Sequence, residues 1–154
     1  MYHTSRELVL AGGFGSDTLT GGSGADRFGF GFPNEGINTI RDFVVADDTI
    51  VVSAIGFGGG LKAGEAIEPS QFKLGNIAGD SSDRLIYNRN TGALYFDRDG
   101  TGSAKQVQIA TLANKPAISN ADIFVSPQVV GTTNNGNLSP SEVNNITNIL
   151  NDIF

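Results

Sequence analysis

Residues 12–30, GGFGSDTLTGGSGADRFGF, decide how the rest of this chain is read. Taken in nines, the stretch is G-G-F-G-S-D-T-L-T followed by G-G-S-G-A-D-R-F-G. Asp17 and Asp26 stand nine residues apart, and so do Leu19 and Phe28. Leu10 continues the apolar series upstream, while Leu8 stands where the preceding aspartate would fall. A unit this rich in glycine is a poor α-helical repeat, because each glycine costs about 1 kcal/mol in a helix interior. The alternative is a six-residue turn, G-G-x-G-x-D, followed by a three-residue strand whose middle side chain points inward.

That turn has a chemistry. Glycine supplies positive-φ backbone and lets carbonyl oxygens converge, and the aspartate adds a carboxylate oxygen to the cluster. Calcium takes six to eight oxygens at about 2.3–2.6 Å and accepts mixed carbonyl and carboxylate donors. One turn cannot supply them all, so turns must stack and share ions. If two nonapeptides make one coil, residues eighteen apart share an edge, and Asp17 then faces Glu35. Asp26 needs a partner further on, and Asn38 and Asp42 are the available oxygens. The expected metal-binding set is Gly12, Phe14, Gly15, Asp17, Gly21, Ser23, Gly24, Asp26, Glu35, Asn38 and Asp42, holding one or two calcium ions. Phosphate is the competing ligand of a glycine-rich loop. No Lys-Ser/Thr pair follows the glycines, however, and the aspartates would repel it.

Composition agrees. Among 154 residues there are 21 glycines, and the hydrophobic fraction of 39% is that of a globular chain, favouring turn-rich β structure over a helical bundle. The formal net charge of −6 argues against a nucleic-acid partner, which needs concentrated Lys and Arg. Without cysteine there are neither disulfides nor thiolate metal sites. No apolar run approaches a membrane span, and MYHTSRELVLAGG lacks the basic-then-apolar layout of a secretory signal peptide. The expectation is therefore residence inside the cell or export by another signal.

Beyond the repeats the grammar changes. INTIRDFVVADDTIVVSAIGF, from Ile37, carries the β-branched runs of strands, and residues 56–65 read as a loop. Residues 84–87, 93–96 and 106–112 read as three strands of an antiparallel meander, with NRNTG and DRDGTG as their turns. Tyr87, Tyr95 and Phe96 are expected in its core. Residues 126–138 are a polar linker. Ser139, Pro140 and Glu142 then mark a helix start, with Val143, Ile146, Leu150 and Ile153 at helical spacing.

The tandem resembles the RTX (hemolysin-type) nonapeptide of secreted bacterial proteins. GGSGADRFGF…NTIRDFVVADDTIVVSAI looks like a last such repeat and the strands capping it, and LIYNRNTGALYFDRDGTGSAKQVQIATL…ISNADIFV is similar to the region that follows. The likeness runs from Gly12 to Val125. It implies an all-β protein: a short parallel β-roll over residues 1–35, a β-sandwich-like capping domain over 36–125, and a linker plus C-terminal amphipathic helix over 126–154. It also implies a calcium-binding module, extracellular and joined covalently to an upstream domain. Export would run through the type I secretion machinery, which reads an uncleaved C-terminal signal such as the terminal NDIF. The family usually carries many repeats and this chain has two intact ones. Asn38 stands where similar sequences usually have Asp.

Other constellations weigh less. DRDGTGSAKQVQ, residues 97–108, matches an EF-hand loop at its first positions, with Gln in place of the closing Glu. Strand-like flanks favour a hairpin loop there, with a weaker second calcium site at Asp97, Asp99 and Thr101 as the alternative. Asp47 and Asp48 are expected to close a turn, and Asp80 and Asp83 to be solvated loop acids. His3 is the sole histidine and lacks HExxH context, and GGSGA is not a G-x-S-x-G elbow, so neither a zinc protease nor a Ser-His-Asp triad is encoded. Paired carboxylates for glycosidase work stay open, although the best-placed acids are assigned to calcium. The expected function is a non-catalytic module that tightens on binding calcium. Two alternatives remain: an adhesive or carbohydrate-binding β-sandwich, and the tail of an enzyme whose catalytic part lies elsewhere.

Overall fold

The short apolar runs of this sequence are strand-length, three to six residues between turns, and the chain folds accordingly. The computed structural model describes residues 9–127; the expected C-terminal helix from Ser139 lies outside them, as do residues 1–8. Among the described residues ten strands form two sheets: β1 (Val9–Ala11), β2 (Thr18–Leu19), β3 (Arg27–Phe30), β4 (Asn38–Ile40), β5 (Thr49–Ser53), β6 (Phe72–Leu74), β7 (Leu85–Asn88), β8 (Ala93–Phe96), β9 (Val107–Leu112) and β10 (Ile123–Ser126). One short helix, α1 (Ala54–Phe57), follows β5. The protein is β-rich, as its composition predicts.

The first five strands alternate between the sheets. β1, β3 and β5, joined by β10, build a wholly parallel sheet in the order β1-β3-β5-β10, while β2 and β4 begin a six-stranded sheet continued by β9-β8-β7-β6. The second sheet is mixed. β2, β4 and β9 run parallel, β7-β8-β9 form the expected antiparallel meander, and β6 joins β7 in parallel. Strands from the repeat region and from the later chain thus share both sheets.

The core lies between them. Across the parallel sheet, Leu10, Phe28, Ile50 and Ile123 align in one row, and Phe30, Val52 and Val125 in the next. Against these pack Leu19, Ile40, Leu85, Leu94, Ile109 and Leu112 of the mixed sheet. Val51 and Phe124, on the opposite face of the parallel sheet, are also buried, as parallel strands usually are on both faces. Phe57 of α1 meets Phe96 edge-on, with ring centroids 5.0 Å apart.

Tyr87 sits in this core at 0% exposure, and its hydroxyl donates to the Pro116 carbonyl at 2.7 Å. Burial pushes its pKa above the usual tyrosine value, against a smaller opposing pull from Arg89. The folded protein therefore keeps a proton that the unfolded chain releases near pH 10. The Tyr87 contribution to stability is flat below that pH and falls as pH rises toward the elevated value. Tyr87→Phe is expected to cost about 1–2 kcal/mol at pH 7, because the carbonyl loses its donor. It should also flatten the alkaline decline, which urea unfolding at pH 7 and above pH 10 would check.

Candidate metal centre

Two turns stack on one edge of the molecule. The first, residues 12–17, lies between β1 and β2; the second, residues 33–38, follows β3 and ends on the first residue of β4. β2 and β4 fix their relation: Thr18 pairs with Thr39 and Leu19 with Ile40, a spacing of 21 residues instead of eighteen. Asp17 therefore stands beside Asn38, and the expected pairing of Asp17 with Glu35 is corrected. The Asp17 amide donates to Asn38 Oδ1 at 2.9 Å, and the Thr39 amide donates to the Asp17 carbonyl at 2.7 Å. Higher in the turn, the Gly15 amide donates to the Glu35 carbonyl at 2.6 Å.

The glycines shape this edge. Gly13 and Gly15 take φ of 72° and 104°, and their counterparts nine residues on, Gly22 and Gly24, take 78° and 98°. The two repeats are thus one backbone conformation used twice. Asp17 folds back over its own turn: a Cβ on Gly12 would lie 2.5 Å from Asp17 Oδ2 and 3.0 Å from Asn38 Nδ2. That Oδ2 atom is buried without a hydrogen-bond partner. Phe14 is 64% exposed, so only its backbone can serve a ligand. Among the described residues, no three His, Asp or Glu side chains converge. A cation on this edge would meet backbone carbonyls and the Asp17 carboxylate, a donor set that suits a hard ion.

Glu35 belongs to the turn itself. It is 5% exposed, and its carboxylate accepts from the Gly31 and Phe32 amides while Oε2 has no hydrogen-bond partner. Burial raises its pKa, and the two amides pull partly back. The carboxylate thus holds together the loop that carries the three extra residues.

The opposite edge is closed differently. There residues 21–26 stack on residues 43–48, and Asp26 stands beside Asp48, which replaces the expected partners Asn38 and Asp42. Asp48 is 3% exposed; its Oδ1 accepts from the Asp26 amide at 2.9 Å and its Oδ2 from the Val44 amide at 2.8 Å. Burial raises the Asp48 pKa, the two amides lower it, and nearby Asp42 and Asp47 raise it further. Asp42, expected as a ligand, accepts from the Gly21 and Gly22 amides at 2.9 and 2.8 Å. Asp26 is fully buried, and a Cβ on Gly21 would overlap its carboxylate. Ser23 is exposed and Gly24 half-buried on the same turn.

At the meander, residues 97–106 connect β8 to β9 as a hairpin loop. Asp97 is buried, and its Oδ1 accepts from the Asp99 amide at 3.2 Å. Its pKa is raised by burial first and by the adjoining Asp99 carboxylate second. Asp99 Oδ2 accepts from the Ala104 amide at 3.1 Å, and Thr101 is exposed. The loop brings Asp97 and Asp99 together, and Thr101 lines the same hollow as Asp97. Asp83, expected in solvent, is 4% exposed and takes the Gly79 amide at 2.7 Å; Asp80 is exposed as expected.

Sequence reasoning placed Asp48 in a turn, as found, but missed its bond to the Asp26 amide and the stacking role of Gly36. The signal was present: G-I-N at residues 36–38 repeats the spacing of G-S-D at residues 15–17. No protein-family model matches the chain, and comparison with curated proteins returns no match. Function must therefore be argued from the turns. A carbohydrate platform would present exposed tyrosines for a sugar ring to stack on. Tyr87 is instead buried and Tyr95 half-buried, which counts against that reading.

Proposed function

We propose that this chain is a non-catalytic calcium-binding module whose repeat region is an RTX-type β-roll, tightened by the ion. One observation carries the reading: a buried, unpartnered Asp17 oxygen in a glycine turn stacked on a second turn of related sequence. An unpaired buried carboxylate oxygen costs about 1–3 kcal/mol or more, and a hard cation removes that cost. Asp17, with carbonyls of residues 12–15 and 33–36, would hold the ion. Calcium supplies charge neutralisation between two turns that otherwise meet through few hydrogen bonds.

Extracellular calcium sites of this type bind at about 10⁻⁴–10⁻³ M. Near-millimolar calcium then adds about 1 kcal/mol, rising to ~2.7 kcal/mol at a hundredfold excess over Kd. The wide, shared core makes most of the stability independent of the ion, so the response is a tightening of the repeat region. In the same reading the protein is secreted by a type I system, as part of a longer RTX-type polypeptide. Among the described residues no helix is long and apolar enough to cross a membrane.

Calcium titration of the wild type and Asp17→Asn, followed by thermal melting, tests this. The wild-type midpoint is expected to rise with calcium and fall back in EGTA, and the variant should lose most of that response. Identical melts in calcium and EGTA for the wild type would end the proposal.

A further inference from the structure

We infer that Asp42 and Asp48 are built-in anchors that hold the second edge of the molecule without a cation, leaving the ion to the edge of Asp17. The ion count rests on the calcium reading above; the anchoring does not. Four backbone amides on that edge are taken by these two carboxylates: Gly21 and Gly22 by Asp42, and Asp26 and Val44 by Asp48. Each carboxylate uses both oxygens, so each binds in a bidentate, charge-assisted manner, about twice as strong per bond as a neutral pair. Asp42 joins the turn at residues 21–26 to the strand-end after β4, and Asp48 joins that turn to its stacked neighbour.

The lower turn explains why this is needed. Residues 43–48 read FVVADD and contain no glycine, so this segment cannot repeat the positive-φ pattern of residues 21–26. The backbone that would offer converging carbonyls to a shared ion is missing on one side. Amide hydrogens face the carboxylates there instead, and an amide donor repels a cation. On the Asp17 edge the lower turn keeps Gly36 at φ 123°, and the neutral Asn38 side chain stands where the other edge has Asp48. The two edges share the contact from the aspartate amide to a side chain below, Asp17 to Asn38 and Asp26 to Asp48, and differ in the glycine of the lower turn and in the two carboxylates that take amides.

Asp42→Asn and Asp48→Asn are the direct tests, because each keeps its shape but replaces one acceptor oxygen with an amide facing another amide. In EGTA both variants should melt lower than the wild type by about 4 °C or more, and the calcium-induced rise should keep its wild-type size. Asp17→Asn should show the reverse, an EGTA melt close to wild type and a lost calcium response. Isothermal titration of the wild type should give a stoichiometry near one. The inference is overturned if either Asp42→Asn or Asp48→Asn melts like the wild type in EGTA. Loss of the calcium response in Asp42→Asn, or a stoichiometry near two, overturns it as well. Should Asp48→Asn fail to fold, the half-buried Asp42 decides the matter alone. A wild type indifferent to calcium refutes the proposed function, while the EGTA melts still judge the anchors.

Discussion

Gly36→Ala is expected to cost about 3 kcal/mol or more and to abolish the calcium response. Two effects combine at this position. Gly36 takes φ 123°, a region that residues with a Cβ occupy only at about 1–3 kcal/mol. A Cβ there would also overlap the Gly15 carbonyl oxygen of the turn stacked above and lie 2.7 Å from its carbon. That neighbour is backbone and cannot swing away as a side chain would. Relief requires the two turns to part, which breaks the Gly15–Glu35 and Asp17–Asn38 hydrogen bonds. Gly15→Ala is the control, since its φ of 104° is equally unfavourable but its Cβ would meet nothing within 4 Å. Urea unfolding of both variants separates strain from stacking. If they lose the same stability, the contact between the turns is loose and the site geometry fails with it.

Why the register of these turns escaped the sequence is a matter of local against non-local information. The phase of Leu19 and Phe28 with their aspartates is local, and it placed both side chains inward as expected. The meander was legible too, because β-branched and aromatic runs between Asn/Gly turns encode it residue by residue. The stacking partner of Asp17, by contrast, depends on how many residues the second coil spends before its turn. An eighteen-residue period puts Glu35 opposite Asp17, and Glu35 is an acid, so the pattern looked complete. Three extra residues around Pro33 shift the register to Asn38 and free Glu35 to bind the Gly31 and Phe32 amides. A carboxylate carries no mark of whether an ion or a backbone amide will claim it. Asp42 and Asp48 show the same ambiguity, settled only when the fold brings unpaired amides to them.

Phe28→Ala is expected to be the most destabilising single truncation of the repeat region, costing about 3–5 kcal/mol. Phe28 has no exposed surface and stands in the row Leu10–Phe28–Ile50–Ile123 that crosses the parallel sheet. Its ring lies 6.0 Å from that of Phe43 and reaches under the turn of residues 21–26, where its Cζ would be 3.0 Å from a Cβ on Gly21. Truncation leaves a void bounded by two sheets and a turn, and the strands on either side are pinned in register, so little collapse can fill it. For a domain whose whole stability is about 5–15 kcal/mol, that loss is a large share. It should occur in EGTA and in calcium alike, because the ring touches the core and not the Asp17 edge. Phe14→Ala, one repeat earlier and 64% exposed, should change stability by less than about 0.5 kcal/mol. Urea midpoints of the two variants measure the contrast. A Phe28→Ala loss below about 1.5 kcal/mol would mean that the repeat region packs far more loosely than its burial indicates.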